Sequence, residues 1–224
     1  YAIDLSDDGS VVAIGADGDD ARGNYRGIDS GHVRIFKDID DEWIQIGDDI
    51  DGEAANDYSG GGVSLSGDGN VVAIGAANND GNGTDSGHVR VYKNVNDEWT
   101  KVGSDLDGEA AGDFLRASSL SHDGSVIAIG AGYNDSNGTD SGHVRIYQNV
   151  NDTWVQVGSS VRGEASNDLL GNAISLSNDG TVVAIGSPGN DGNGSNSGQV
   201  QVFSIDLPLS ITGPSGSAGD STST

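Results

Sequence analysis

The chain has 224 residues and a formal net charge of -25 at neutral pH. That charge repels DNA, RNA and anionic membrane surfaces, and it favours basic partners, calcium or dissolved salt. Cysteine is absent, so no disulfide can form, and no stretch approaches the roughly 18 apolar residues of a membrane-spanning helix.

The chain opens at Tyr1 on a strand-like run that ends at Leu5-Ser6. A turn carrying Asp8-Gly9 follows, and Asp-Gly between apolar runs is a hairpin signal. Val11 to Gly15 predicts a second strand. The long polar segment from Asp17 to Asp29 comes next, with Arg22, Tyr25 and Arg26 standing out in an acidic chain as a candidate partner contact. Ser30-Gly31-His32-Val33-Arg34 starts a third strand, and Trp43 starts a fourth. A Gly52-Glu53-Ala54 segment then leads to another copy of the same series.

The series recurs with a period of about 56 residues. Asp68-Gly69, Asp123-Gly124 and Asp179-Gly180 repeat the first turn. Val71 to Gly75, Val126 to Gly130 and Val182 to Gly186 repeat the second strand. Ser86 and Ser141 begin further copies of Ser-Gly-His-Val-Arg, and Ser197 begins a diverged one. Trp99 and Trp154 keep the register of Trp43. Within the third strand Val89 and Val91 face one side, and His88 and Arg90 face the other.

Each unit therefore predicts four short antiparallel strands, A to D, and no helical pattern appears anywhere. Four such strands at this period describe a β-propeller blade. The expected blades run approximately 1-56, 57-112, 113-167 and 168-204, followed by a Ser/Gly/Thr-rich tail or linker at 205-224. The start without methionine, directly on a strand, suggests a mature or truncated part of a longer protein.

These landmarks resemble the FG-GAP repeats of integrin-α-like β-propellers, in particular a secreted bacterial and algal branch. The clearest segment runs from Gly186-Ser187-Pro188 through Asn190-Asp191-Gly192-Asn193-Gly194 to Ser197-Gly198 and Phe203. The resemblance implies an all-β propeller, four blades here within a larger ring, seven being common in the family. It also implies an extracellular or cell-surface location and a structural, adhesive or protein-interaction role without catalysis. Integrin propellers bind calcium between strands A and B. That connection is a tight turn here, Ser66-Gly67-Asp68-Gly69 for example, so the site is not carried over.

The loops between strands B and C hold the candidate site. Asp80, Asn82, Thr84 and Asp85 recur as Asp135, Asn137, Thr139 and Asp140, and partly as Asp191 and Asn193. Alternating oxygen side chains resemble half of a calcium loop. The competing account is an Asp/Asn/Gly turn held by side-chain-to-backbone hydrogen bonds. Asn82, Asn137 and Asn193 in these loops also begin N-glycosylation sequons, as do Asn134 and Asn151, and a glycan on Asn82 would compete with calcium.

His32, His88 and His143 fall on different blades, which favours packing, with Arg34, Arg90 and Arg145 meeting acidic neighbours, either Glu53, Glu109 and Glu164 or Asp57, Asp113 and Asp168. The tryptophans suit packing on the outer strand and could also stack on a sugar. No Gly-x-Ser-x-Gly or His-Glu-x-x-His pattern occurs, and the carboxylates recur with the repeat. The expected function is a non-enzymatic module binding proteins or glycans at the cell surface. The alternatives are a carbohydrate-binding module or a non-catalytic part of a larger secreted enzyme.

Overall fold

The structure is a computed structural model that describes residues 2-18 and 28-207. Arg22, Tyr25 and Arg26, and most of the expected tail, lie outside the described residues. Eighteen strands form four antiparallel sheets, and no helix occurs among the described residues. The first sheet holds β1 (Ile3–Leu5), β2 (Val11–Ala16), β3 (His32–Ile39), β4 (Glu42–Gln45) and β5 (Ile50–Asp51). The second holds β6 (Ser59–Leu65), β7 (Val71–Ala76), β8 (His88–Val95), β9 (Glu98–Lys101) and β10 (Leu106–Asp107). The third holds β11 (Ala117–Leu120), β12 (Val126–Ala131), β13 (His143–Val150), β14 (Thr153–Gln156) and β15 (Val161–Arg162). The fourth holds β16 (Ala173–Leu176), β17 (Val182–Ser187) and β18 (Gln199–Ser204).

Each sheet is a propeller blade with strands in chain order, as the repeat predicts. One element was not foreseen. The third strand of each complete blade is eight residues long, and its two halves have different partners. In the second blade, Tyr92 to Val95 pairs with β9, while His88 and Val89 pair with the two-residue β10. The third and fourth strands meet in a two-residue turn, Asn96-Asp97, with φ of 56° and 63°. Two consecutive left-handed residues give the type I′ turn whose twist suits a hairpin, and Asn and Asp tolerate that conformation better than most residues.

The apolar alternation assigns one face of each blade to the next. Val11, Ala13, Val33 and Ile35 pack against Leu65, Val72, Ile74 and Tyr92. Val71, Ala73, Val89 and Val91 make the same contact with the third blade, and Val126, Ala128, Val144 and Ile146 make it with the fourth. The outer faces of the two end blades lack this cover. Leu5 is 52% exposed where its equivalent Leu65 is 5% exposed, and Val200 and Val202 are exposed on the fourth blade.

The turns between the first two strands of all four blades meet at one hub. The Asp7 N–H donates to the Gly67 carbonyl at 2.9 Å, Asp68 N–H to His122 O at 3.0 Å, and His122 N–H to Asn178 O at 2.9 Å. The Asp7 carboxylate accepts from the Asn178 amide at 3.0 Å and lies 2.8 Å from His122 Nδ1. One side chain of the first blade thus reaches the turns of the third and fourth.

Candidate functional site: the seams between blades

Three devices recur at the seams, the first and third at all three seams and the second at two of them. The first is backbone pairing at Ser-Gly-His-Val-Arg. Ser30, Ser86 and Ser141 are buried, and their carbonyls accept the N–H groups of Ser59, Leu115 and Leu170 in the next unit, at 3.0 to 3.1 Å. The second is the indole bridge. Trp99 Nε1–H donates to Ile46 O at 3.0 Å, and Trp154 Nε1–H to Val102 O at 3.1 Å. These two rings are half-buried against the preceding blade, so packing accounts for them, as the register suggested. The third is a carboxylate clamp. Asp57 accepts from Ala54 N–H and from the Asn79 amide, both at 3.0 Å. Asp113 does the same with Ala110 and Asn134, and Asp168 accepts from Ala165 N–H at 3.0 Å and from the Asn190 amide at 3.3 Å.

Beside these contacts the seams open into acidic clefts. The first, of about 670 Å3, is lined by Asp49, Asp51, Arg90, Tyr92, Asp97 and Trp99 among others. The second, of about 460 Å3, repeats it with Asp105, Asp107, Glu109, Arg145, Tyr147 and Trp154. Arg90 and Arg145 lie over Tyr92 and Tyr147, 5.7 and 5.8 Å from the ring centroids, within cation–π reach.

The expected acidic partner of arginine is found for Arg90, whose Nη1 is 3.3 Å from Glu53. Its Nη2 also donates to Asp51 O at 2.9 Å. Arg145 donates to Asp107 O at 2.5 Å, and Arg34 pairs with Asp49 at 2.9 Å through two nitrogens. That guanidinium holds the Asp49 carboxyl below its ordinary pKa. His88 and His143 are fully buried between blades. Burial, reinforced by Arg90 and Arg145, lowers both imidazole pKa values and keeps the rings neutral. Burial, and then Asp105, raises that of Asp107.

The histidines do not meet one another, as expected from their places on separate blades. His88 does converge with carboxylates from two other segments, Glu53 and Asp105. Asp105 escaped notice because Asp is abundant in this chain. Its recoverable signal was the segment Gly103-Ser104-Asp105-Leu106-Asp107-Gly108, which repeats Gly47-Asp48-Asp49-Ile50-Asp51-Gly52 at the same distance after tryptophan.

The loops between the second and third strands spend much of their oxygen pattern on the backbone. Asp80 Oδ1 accepts from Asp85 N–H at 2.9 Å, Asp135 from Asp140 at 2.8 Å, and Asp191 from Asn196 at 2.7 Å. The Asn82 amide donates to Gly108 O, and the Asn137 amide to Gly163 O, tying each loop to its own blade's closing segment. Thr84 and Thr139 are exposed at the loop tips. Among the sequon asparagines, Asn134 is buried and holds Asp113, so a glycan there would break the clamp. Asn151 and Asn193 are exposed.

Residues 162–203 match the FG-GAP repeat family model. No curated protein matches the chain. Solved structures do, and they are β-propellers. Hydrazine synthase of Kuenenia stuttgartiensis is 13% identical with a TM-score of 0.53, over 90% of this chain and 45% of that one. Hsv2 of Kluyveromyces lactis is 18% identical with a TM-score of 0.53, over 92% and 48%. The periplasmic gluconolactonase PpgL of Pseudomonas aeruginosa is 16% identical with a TM-score of 0.50, over 87% and 50%. This chain spans about half the length of these proteins, and at such identities the likeness shows the fold alone.

Proposed function

We propose that this FG-GAP-like β-propeller is a non-enzymatic binding module of a cell-surface or secreted assembly, and that its acidic seam clefts receive cationic groups of a protein partner. The observation that carries this reading is repetition. The same grouping of carboxylates, arginine, tyrosine and tryptophan stands at two successive seams. A reaction centre needs one differentiated set of groups, whereas two equivalent clefts suit a ligand that engages several blades at once, gaining avidity from linkage. The net charge of -25 adds long-range attraction for such a partner.

The test is binding of the chain to lysine- and arginine-rich peptides displayed in tandem, at low and high salt. Tandem peptides should bind at least tenfold more tightly than single ones, and both should weaken as salt rises. Binding indifferent to salt and valence overturns the reading. So does turnover of lactone, polysaccharide or peptide substrates by the isolated chain.

A further inference from the structure

We propose that Glu53, His88 and Asp105 form a binding site for a divalent transition-metal ion at the seam between the first and second blades. The three come from separate segments: Glu53 from the connection after β5, His88 from the start of β8, and Asp105 from the residue before β10. One ligand atom of each lies within 4.8 Å of the other two. The His88 side chain is 1% exposed, and its Nε2 makes no hydrogen bond. A buried imidazole nitrogen without a hydrogen bond is costly, and His143, the counterpart of His88 at the next seam, has both ring nitrogens without one. Neutral imidazole with two carboxylates is a donor set for Zn2+, Mn2+ or Co2+, whereas Ca2+ and Mg2+ take oxygen donors.

Two cations already neighbour the carboxylates, and both are positioned to give way. Arg90 contacts Glu53 at 3.3 Å but is anchored independently on the Asp51 carbonyl and beside the Tyr92 ring. Lys101 pairs with Asp105 from an exposed position, where such pairs are weak. Tetrahedral bonds of about 2.1 Å place donors about 3.4 Å apart, so ligation draws the three groups together by up to about 1.4 Å, a movement open to the exposed Glu53 side chain.

The repeat supplies a control. At the next seam Glu109 and His143 are in place, with His143 Nδ1 3.6 Å from Glu109. The position of Asp105 is taken there by Ser160, and that of Asp107 by Arg162. In the first blade the equivalent Asp49 is held by Arg34. One such site among the described residues follows.

Equilibrium dialysis and calorimetry of the whole chain with Zn2+ alone should give one high-affinity ion, with Ca2+ failing to displace it. Co2+ in its place should give visible absorption bands of a nitrogen-containing ligand field. Asp105→Ser, which installs the residue the third blade already tolerates, and Glu53→Gln should each weaken Zn2+ at least tenfold, about the lower bound for loss of a supporting contact. The double variant Ser160→Asp/Arg162→Asp, which copies the second blade, should raise the stoichiometry to two. No Zn2+ binding, affinity unchanged by Asp105→Ser and Glu53→Gln, or a copied seam that leaves the count at one would each overturn the assignment.

Discussion

Trp99 Nε1–H donates to the carbonyl of Ile46, 53 positions earlier and one blade away, at 3.0 Å. Trp154 repeats this bond to Val102, whereas Trp43, on the outer face of the first blade, is 51% exposed. The same residue in the same register therefore has two energetic roles. Trp99→Phe should cost about 1 kcal/mol by losing the hydrogen bond, and Trp99→Ala about 3 kcal/mol by also emptying the seam. Trp43→Phe should stay within about 0.5 kcal/mol. Urea denaturation of the three variants measures this, and equal losses at Trp43 and Trp99 would remove the seam from the explanation.

Gly75 stands one residue before the end of strand β7, where the next blade's backbone crosses it. A Cβ there would overlap the Arg116 carbonyl, and one at Gly15 or Gly130 would meet the Gly60 or Gly171 carbonyl. At Gly186, in the fourth blade, the nearest atom is Ala173 Cβ at 3.5 Å, an ordinary contact. The recurring glycine is thus required by close approach at a seam, and the end blade gives the comparison. Gly75→Ala should destabilise by about 2–3 kcal/mol or more. Gly186→Ala should be neutral or slightly stabilising, since alanine restricts the unfolded chain. Thermal melts of both variants decide it, and a neutral Gly75→Ala would sink the close-approach account.

How far the sequence reveals this architecture depends on how local each signal is. Val71 to Gly75 is a continuous apolar run and His88 to Tyr92 alternates, each over enough residues to declare a strand, and the tryptophan register announces the fourth strand. The fifth strand of a complete blade, Ile50–Asp51 in the first, is two residues long and carries no periodicity to detect. The hub is invisible for another reason. Asp7, His122 and Asn178 occupy repeat-related turns but are three different residue types, and the contacts span more than 100 positions. The proposed metal site was half legible: His88 and Glu53 stood out from their recurrence, while Asp105 was lost among many aspartates.

The turns at the hub carry a pH dependence with a definite sign. The Asp8 carboxylate accepts from the Ser10 N–H and the Ser6 hydroxyl, and Asp179 from the Ser177 hydroxyl and the Thr181 N–H. These bonds lower each pKa to about 2. An unfolded aspartate titrates near 3.9. The folded state therefore favours the carboxylate, and the resulting stability is complete above about pH 4 and lost as pH falls through about 2. The melting temperature should fall over that window. The double variant Asp8→Asn/Asp179→Asn, whose amide oxygens still accept, should have a shallower slope between pH 4 and 2. An identical slope would place the acid sensitivity elsewhere.

The loop between β7 and β8 allows a direct choice between an ion-held and a self-held turn. Asp80 Oδ1 accepts Asp85 N–H at 2.9 Å, and Asn82 crosses to the Gly108 and Glu109 carbonyls. An amide oxygen can replace a carboxylate oxygen in the first bond but removes the negative charge that calcium needs. If the loop holds itself, Asp80→Asn should melt with the parent, and Asp80→Ala should lose about 1 kcal/mol. Millimolar calcium should then leave the melting temperature of both unchanged, because an ion that binds the folded state must raise it. The equivalent changes at Asp135 and Asp191 should give the same pattern, since their bonds to Asp140 and Asn196 are alike. A calcium-induced rise in the parent that disappears in Asp80→Asn would instead establish the loop as an ion site. It would also make Asn82, at the centre of that loop, a poor position for a glycan.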